Sequence, residues 1–92
     1  MHEQRTADDD ELGEKGEWTR QAIDVMTAWA THDEGYSFAA DRVATYAAES
    51  PEGTMKLTVG FINLTAILLL QLRHQTGADV HALLREAARV TL

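Results

Sequence analysis

Hydrophobic residues recur at spacings of three and four along most of the chain, and this pattern predicts four helices. The first predicted helix covers residues 17–32, with a polar side opposite its apolar stripe. The stripe consists of Trp18, Ala22, Val25, Met26 and Trp29. Because small helical domains depend on large aromatic side chains for buried area, both tryptophans are interpreted as core residues rather than as a ligand-binding pair.

A second helix is predicted after a break at Gly35. Ser37 is expected to cap its start, and the helix should run to about Glu49. Its buried side should hold Val43, Tyr46 and Ala47.

The run Ser50-Pro51-Glu52 predicts the start of a third helix. Serine accepts hydrogen bonds from free amides at an N-cap, proline suits the first helical position, and glutamate favours the positive end of the helix. The helix should extend from about Pro51 to Thr76, with Gly77 as its C-terminal cap.

Asp79 is expected to cap a fourth helix that runs to the chain end. Its apolar side is formed by Val80, Leu83, Leu84, Ala87 and Thr91. Its outward side carries Arg85, Glu86 and Arg89. With four helical patterns and no convincing strand, the sequence predicts an all-α fold in the form of a compact four-helix bundle.

The N-terminal segment differs from the rest of the chain in composition. Residues 1–13 are polar and contain almost no large apolar side chain, so they are predicted to form a disordered acidic tail. Residues 14–92 are then a single four-helix domain, since 92 residues suffice for one modest core. The net charge is −7, of which residues 1–17 contribute −5, so most of the acidity lies in the tail.

The third predicted helix is apolar on nearly all sides between Leu57 and Leu72. These 16 residues rise about 24 Å, which is short of the roughly 30 Å core of a bilayer. Lys56 and Arg73 close the segment at its two ends. We therefore expect a buried central helix rather than a membrane span.

Candidate chemistry is sparse in this sequence. Cysteine is absent, which excludes disulfides and thiolate metal sites. The four histidines form no helical ligand pair; they are His2, His32, His74 and His81. Both serines are interpreted as helix caps, and no phosphate-cradling loop is present. We expect no enzyme activity, no bound metal and no cofactor.

A second line along the third helix predicts a homodimer seam opposite the side expected to face the rest of the chain. The inward arc is Leu57, Phe61, Leu64, Leu68, Leu69 and Leu72. The outward line steps by four and three residues alternately, as helix–helix seams do. It begins at Lys56 and supplies the predicted interface residues Gly60, Asn63, Ile67, Leu70 and His74. Gly60 is expected to permit close approach, and Asn63 to set the register.

These patterns favour a small, acidic, cytoplasmic protein–protein interaction module that forms a homodimer and acts as an adaptor or neutraliser of a basic partner. The alternative is a helix-turn-helix DNA-binding regulator built from the third and fourth helices. Its groove-reading residues would be His81, Arg85 and Arg89. The acidic net charge argues against nucleic acid, because phosphate contacts require an excess of lysine and arginine. The N-terminus lacks the basic start and apolar run of a secretion signal.

Overall fold

Four helices and no strand form the described part of the chain, which confirms the all-α prediction. A computed structural model describes the backbone of residues 2–91 and the side chains of residues 16–91. The helices are α1 (His2–Thr31), α2 (Gly35–Ala47), α3 (Gly53–Thr76) and α4 (Val80–Val90). Residues 2–13, which the sequence predicted to belong to a disordered acidic tail, form the first part of the α1 backbone, and α1 begins 15 residues before the predicted start of the first helix. The side chains of residues 2–15 lie outside the described residues.

The core lies where α1 packs against α3 and α2. Its buried apolar residues are Ala22, Val25, Ala28 and Leu57. The small alanines allow the α1 backbone to approach its neighbours closely, and Leu57 supplies the bulk from α3. α2 completes this three-helix unit by contacting both α1 and α3.

A hydrogen-bonded cluster joins α1 to α2 beside this core. Tyr46 donates its hydroxyl proton to Asp24 Oδ2 at 2.7 Å, and Arg42 Nη1 donates to the same oxygen at 3.2 Å. The hydrogen bond to the Asp24 carboxylate, together with burial, raises the pKa of Tyr46 above its usual value. The cluster therefore holds the phenol in its neutral form and fixes the pairing of the two helices.

Two glycines lie at close approaches between backbone segments. Gly35 does not end α1, which stops at Thr31; it is the first residue of α2 and lies buried against the Trp29 carbonyl. Gly53 begins α3 and lies buried against the Ala47 carbonyl. A Cβ at either position would overlap these carbonyl oxygens, so both tight chain reversals require glycine.

The predicted serine caps are wrong. α2 begins at Gly35, so Ser37 lies within the first turn and its amide donates to the Glu34 carbonyl at 3.0 Å. α3 begins two residues later than expected, and the Gly53 amide donates to the Ser50 backbone carbonyl rather than to its hydroxyl. Neither helix has a side-chain cap hydrogen bond at its N-cap.

The predicted caps between α3 and α4 are confirmed. Gly77 adopts a left-handed conformation with φ of 76°, and its amide donates to the Arg73 carbonyl at 2.9 Å. The Asp79 carboxylate accepts from the Ala82 amide at 2.8 Å. These two features end α3 and start α4 within three residues.

α3 contacts each of the other three helices, but few of its residues are buried. Only Gly53, Leu57 and Gly60 are buried along its 24 residues. Within the part of the chain that the structure describes, α4 packs against α3 alone and has no buried residue. The buried central helix expected from the sequence is thus covered mainly over its first half.

Candidate functional site

From Ile62 onward, α3 exposes a set of large apolar side chains together with the helix α4. Each member exposes between 43% and 80% of its surface. We call the set the α3–α4 surface; it consists of Ile62, Ile67, Leu68, Leu70, Leu72, Leu84 and Val90. No charged residue interrupts α3 between Lys56 and Arg73, so water meets mostly hydrocarbon along this stretch.

Exposed apolar residues are concentrated in this part of the chain. Seven large aliphatic side chains, each at least 43% exposed, lie within residues 62–90 and are spread around α3 and along α4. Large exposed apolar patches usually mark interaction sites. The α3–α4 surface is therefore the main candidate functional site.

An open groove with a volume of about 450 Å³ lies between α3 and α4 on this surface. One side of α3 forms its floor and Leu84 of α4 forms a wall. The α3 residues that line it are Thr58, Phe61, Ile62, Thr65, Ala66 and Leu69. Since none of these side chains is ionisable, the groove suits an apolar helix face rather than a charged ligand.

A second apolar groove of about 310 Å³ lies between α1 and α3. It is lined by Ile23, Met26, Thr27, Ala30, Leu64 and Leu68. Leu68 belongs to both this groove and the α3–α4 surface, so apolar exposure continues from α4 across α3 to α1.

The residues of the predicted homodimer seam fall into two groups in the structure, those that contact α1 and those that are exposed. Gly60 is buried, and a Cβ there would overlap the Trp18 carbonyl oxygen of α1. Asn63 Nδ2 donates to Thr19 Oγ1 at 3.4 Å, also in α1. These two residues thus serve the packing of α3 on α1 within one chain, because α1 occupies the space that a partner would need.

The other three residues of the predicted seam are exposed and could contact a partner chain. Ile67 and Leu70 are about half exposed, and His74 is exposed near the end of α3. They lie beyond the part of α3 that α1 buries. Two apolar residues and a histidine form a smaller contact than the groove on the other side of the helix.

The alternative DNA-contacting residues all lie on the outside of α4. His81, Arg85 and Arg89 are exposed. Arg89 Nη2 forms an ion pair with Glu86 Oε1 at 2.7 Å, which reduces the positive charge available to a phosphate. The outer side of α4 therefore carries both positive and negative charges rather than a basic patch.

A polar pocket of about 290 Å³ lies at the other end of the molecule, where α1, α2 and α3 meet. It is lined by Glu17, Trp18, Gln21, Tyr46, Glu49, Ser50, Gly53 and Lys56. Glu17 is engaged by Arg20 at 3.0 Å, and no histidine lies among the lining residues to activate the Ser50 hydroxyl.

The length of α3 and the placement of acidic and histidine side chains bear on membrane and metal binding. α3 is long and apolar enough to cross a membrane, with a mean hydropathy of 1.7 over its most apolar window, 11% of which is buried. Length and composition alone are weak grounds for a span; the core helix of a soluble protein meets the same criterion but is mostly buried, whereas this window of α3 is mostly exposed. Among the described residues, no group of three or more histidine, aspartate or glutamate side chains is placed to hold a metal ion.

Comparison with known proteins adds no relative from which a role could be carried over. No known family model, curated protein or solved structure matches this chain.

Proposed function

We propose that this chain is a small, non-catalytic protein–protein interaction module that self-associates through the α3–α4 surface. The observation that carries the proposal is the exposure of seven large aliphatic side chains on that surface, each at least 43% exposed. Among the described residues, α4 contacts only α3 and has no buried residue, so the described helices leave this surface largely uncovered.

A second copy of the chain is the partner that the charge distribution favours. The net charge of −7 opposes association of two copies through most of their surface. The stretch between Lys56 and Arg73 carries no charge, so two copies can meet there without like-charge repulsion. The acidic remainder of the molecule then stays in water, where it suits a basic protein partner in the cytoplasm.

Light scattering coupled to size-exclusion chromatography tests self-association directly. We expect a mass of twice 10.2 kDa for the full chain at high micromolar concentration. A mass of one chain at that concentration would overturn the proposal. Recovery of the protein only in the membrane fraction, soluble only in detergent, would assign the exposed part of α3 to lipid instead.

Titration with random-sequence DNA at increasing salt separates this module from the DNA-binding alternative. We expect no binding at low salt, because Arg89 is paired with Glu86 and the chain is acidic. Tight binding that weakens steeply with salt would favour the regulator and its residues His81, Arg85 and Arg89.

A further inference from the structure

We infer that the polar pocket between α1, α2 and α3 binds a small zwitterion, a molecule that carries one carboxylate and one ammonium group. The pocket has a volume of about 290 Å³ and lies where α2 ends and α3 begins. This inference goes beyond the proposed self-association and does not depend on it, since the described lining residues of the pocket are not part of the α3–α4 surface.

Opposite charges line this pocket without pairing with one another. Lys56 of α3 is partly buried, and Glu49 lies just after the end of α2. Within the described part of the chain neither side chain forms an ion pair. The remaining charged residue of the lining, Glu17, is held by Arg20 at 3.0 Å, so its charge is already offset. A ligand that carries both charges can join Lys56 to Glu49 through two charge-assisted hydrogen bonds.

The ends of two helices reinforce this separation of charge. Lys56 stands in the first turn of α3, at the positive end of that helix. Glu49 lies two residues beyond Ala47, the last residue of α2, and therefore near the negative end of that helix. The carboxylate of a ligand is favoured beside Lys56 and its ammonium group beside Glu49. A ligand with only one of these groups would leave one side of the pocket unpaired.

Neutral side chains of the pocket offer further contacts. Gln21 and Ser50 are partly buried, and their side chains make no hydrogen bond to another described residue. Since no buried side-chain polar atom of the described residues lacks a partner, these two groups are accessible to a ligand. Trp18 and Tyr46 add aromatic surface, which attracts ammonium groups. Aromatic walls with a few convergent polar groups are typical of small-molecule sites.

The volume of the pocket limits the size of the ligand. At about 290 Å³ it is at the lower end of the roughly 300–1,000 Å³ that ligand sites occupy. It therefore suits a small amino acid rather than a nucleotide or a long peptide. The number of carbons between the two charged groups of the ligand sets whether it spans from Lys56 to Glu49.

Isothermal titration calorimetry of the full chain tests the class of ligand. The zwitterionic probes are glycine, β-alanine, γ-aminobutyrate and 5-aminovalerate; butyrate and butylamine each carry one of the two charges. We expect saturable binding of at least one zwitterion, with one molecule per chain and an affinity about tenfold or more above that of either single-charge probe. No saturable binding of any zwitterion at millimolar concentration would overturn the inference, and so would equally tight binding of butylamine.

Charge-removing variants test the placement of the ligand. Glu49→Gln and Lys56→Gln should each weaken binding of the best zwitterion by about tenfold or more. Glu34→Gln at the start of α2 and Arg73→Gln in the last turn of α3 are the matched controls, because they remove the same charges far from the pocket. Circular dichroism checks that each variant keeps its helices. Equal losses in the lining variants and in the controls would contradict the site.

A ¹H–¹⁵N spectrum of the unmodified chain locates the bound probe without any substitution. Saturation with the best zwitterion should shift the indole N–H signal of Trp18 and leave the amide signal of Leu84 in place. The reverse pattern would overturn the inference. Light scattering keeps the two proposals apart: a monomer that binds the zwitterion contradicts only self-association, and a dimer that binds none contradicts only this site.

Discussion

Gly60 of α3 lies directly against the backbone of Trp18 in α1, so that a Cβ at Gly60 would overlap the Trp18 carbonyl oxygen. The neighbouring Asn63 donates to Thr19 on the same stretch of α1. This close approach fixes the side of α3 that faces its own chain. The apolar residues on the other sides are left to solvent or to a partner.

Gly60→Ala should lower the free energy of unfolding by about 1–3 kcal/mol, because backbone atoms on both sides of the contact must move apart. Gly16→Ala is the matched control within a helix, since a Cβ there meets only the flexible end of Arg20 at 3.6 Å. That control should raise stability by about 0.5–1 kcal/mol through helix propensity. Urea unfolding followed by circular dichroism measures both; equal effects of the two substitutions would contradict the close approach.

The Tyr46–Asp24 hydrogen bond should make stability depend on alkaline pH. The pKa of Tyr46 is raised in the folded chain above its usual value of 10.0. Its contribution is therefore fully present below pH 10 and is lost as the pH rises through the folded pKa, when a phenolate would face the Asp24 carboxylate.

Urea midpoints at pH 8 and at pH 11 test this dependence in the native chain and in Tyr46→Phe. At pH 8 the variant should be less stable by about 1 kcal/mol, the value of one hydrogen bond. The difference between the two proteins should shrink or vanish at pH 11. A constant difference across this range would show that Tyr46 does not lose its contribution on deprotonation.

Asp79→Ala should destabilise α4, whereas Ser50→Ala should leave stability nearly unchanged. The Asp79 carboxylate accepts from the Ala82 amide at 2.8 Å, and loss of such a cap costs about 1 kcal/mol. The Ser50 hydroxyl caps no helix, since only the backbone carbonyl of Ser50 meets the Gly53 amide. Amide hydrogen exchange resolves the two regions; faster exchange at the start of α3 in Ser50→Ala would restore Ser50 as a cap.

Gly77→Ala should cost about 1–2 kcal/mol, because an alanine is strained at a φ of 76°. The space around Gly77 is open, so the cost comes from the backbone alone and not from a clash. Gly77→Asn should cost less, since asparagine tolerates the left-handed conformation. Thermal unfolding compares the two variants, and equal losses would point to a steric rather than a conformational role.

Local signals between α3 and α4 were sufficient to place two helix ends. Gly77 and Asp79 act through their own backbone conformation and through an amide three residues away, and both predictions are confirmed. Ser37 and Ser50 offered the same kind of local signal, but their helices begin at Gly35 and Gly53. Those starts are set by contacts with the carbonyls of Trp29 and Ala47, and a local capping rule contains no information about them.

The amino-acid sequence by itself determined that the chain is all-α, with four helices in this order, because periodic apolar residues and helix-breaking turns act over a few neighbouring positions. Which side of α3 is covered was decided only by tertiary structure. Between Leu57 and Leu72 that helix is apolar nearly all round, so its sides differ too little in hydrophobicity for the pattern to choose among them. The close approach of the Gly60 and Trp18 backbones decides which side is covered, because it places α1 on the side predicted for a partner chain. Ile62, Leu68 and Leu72 are left exposed.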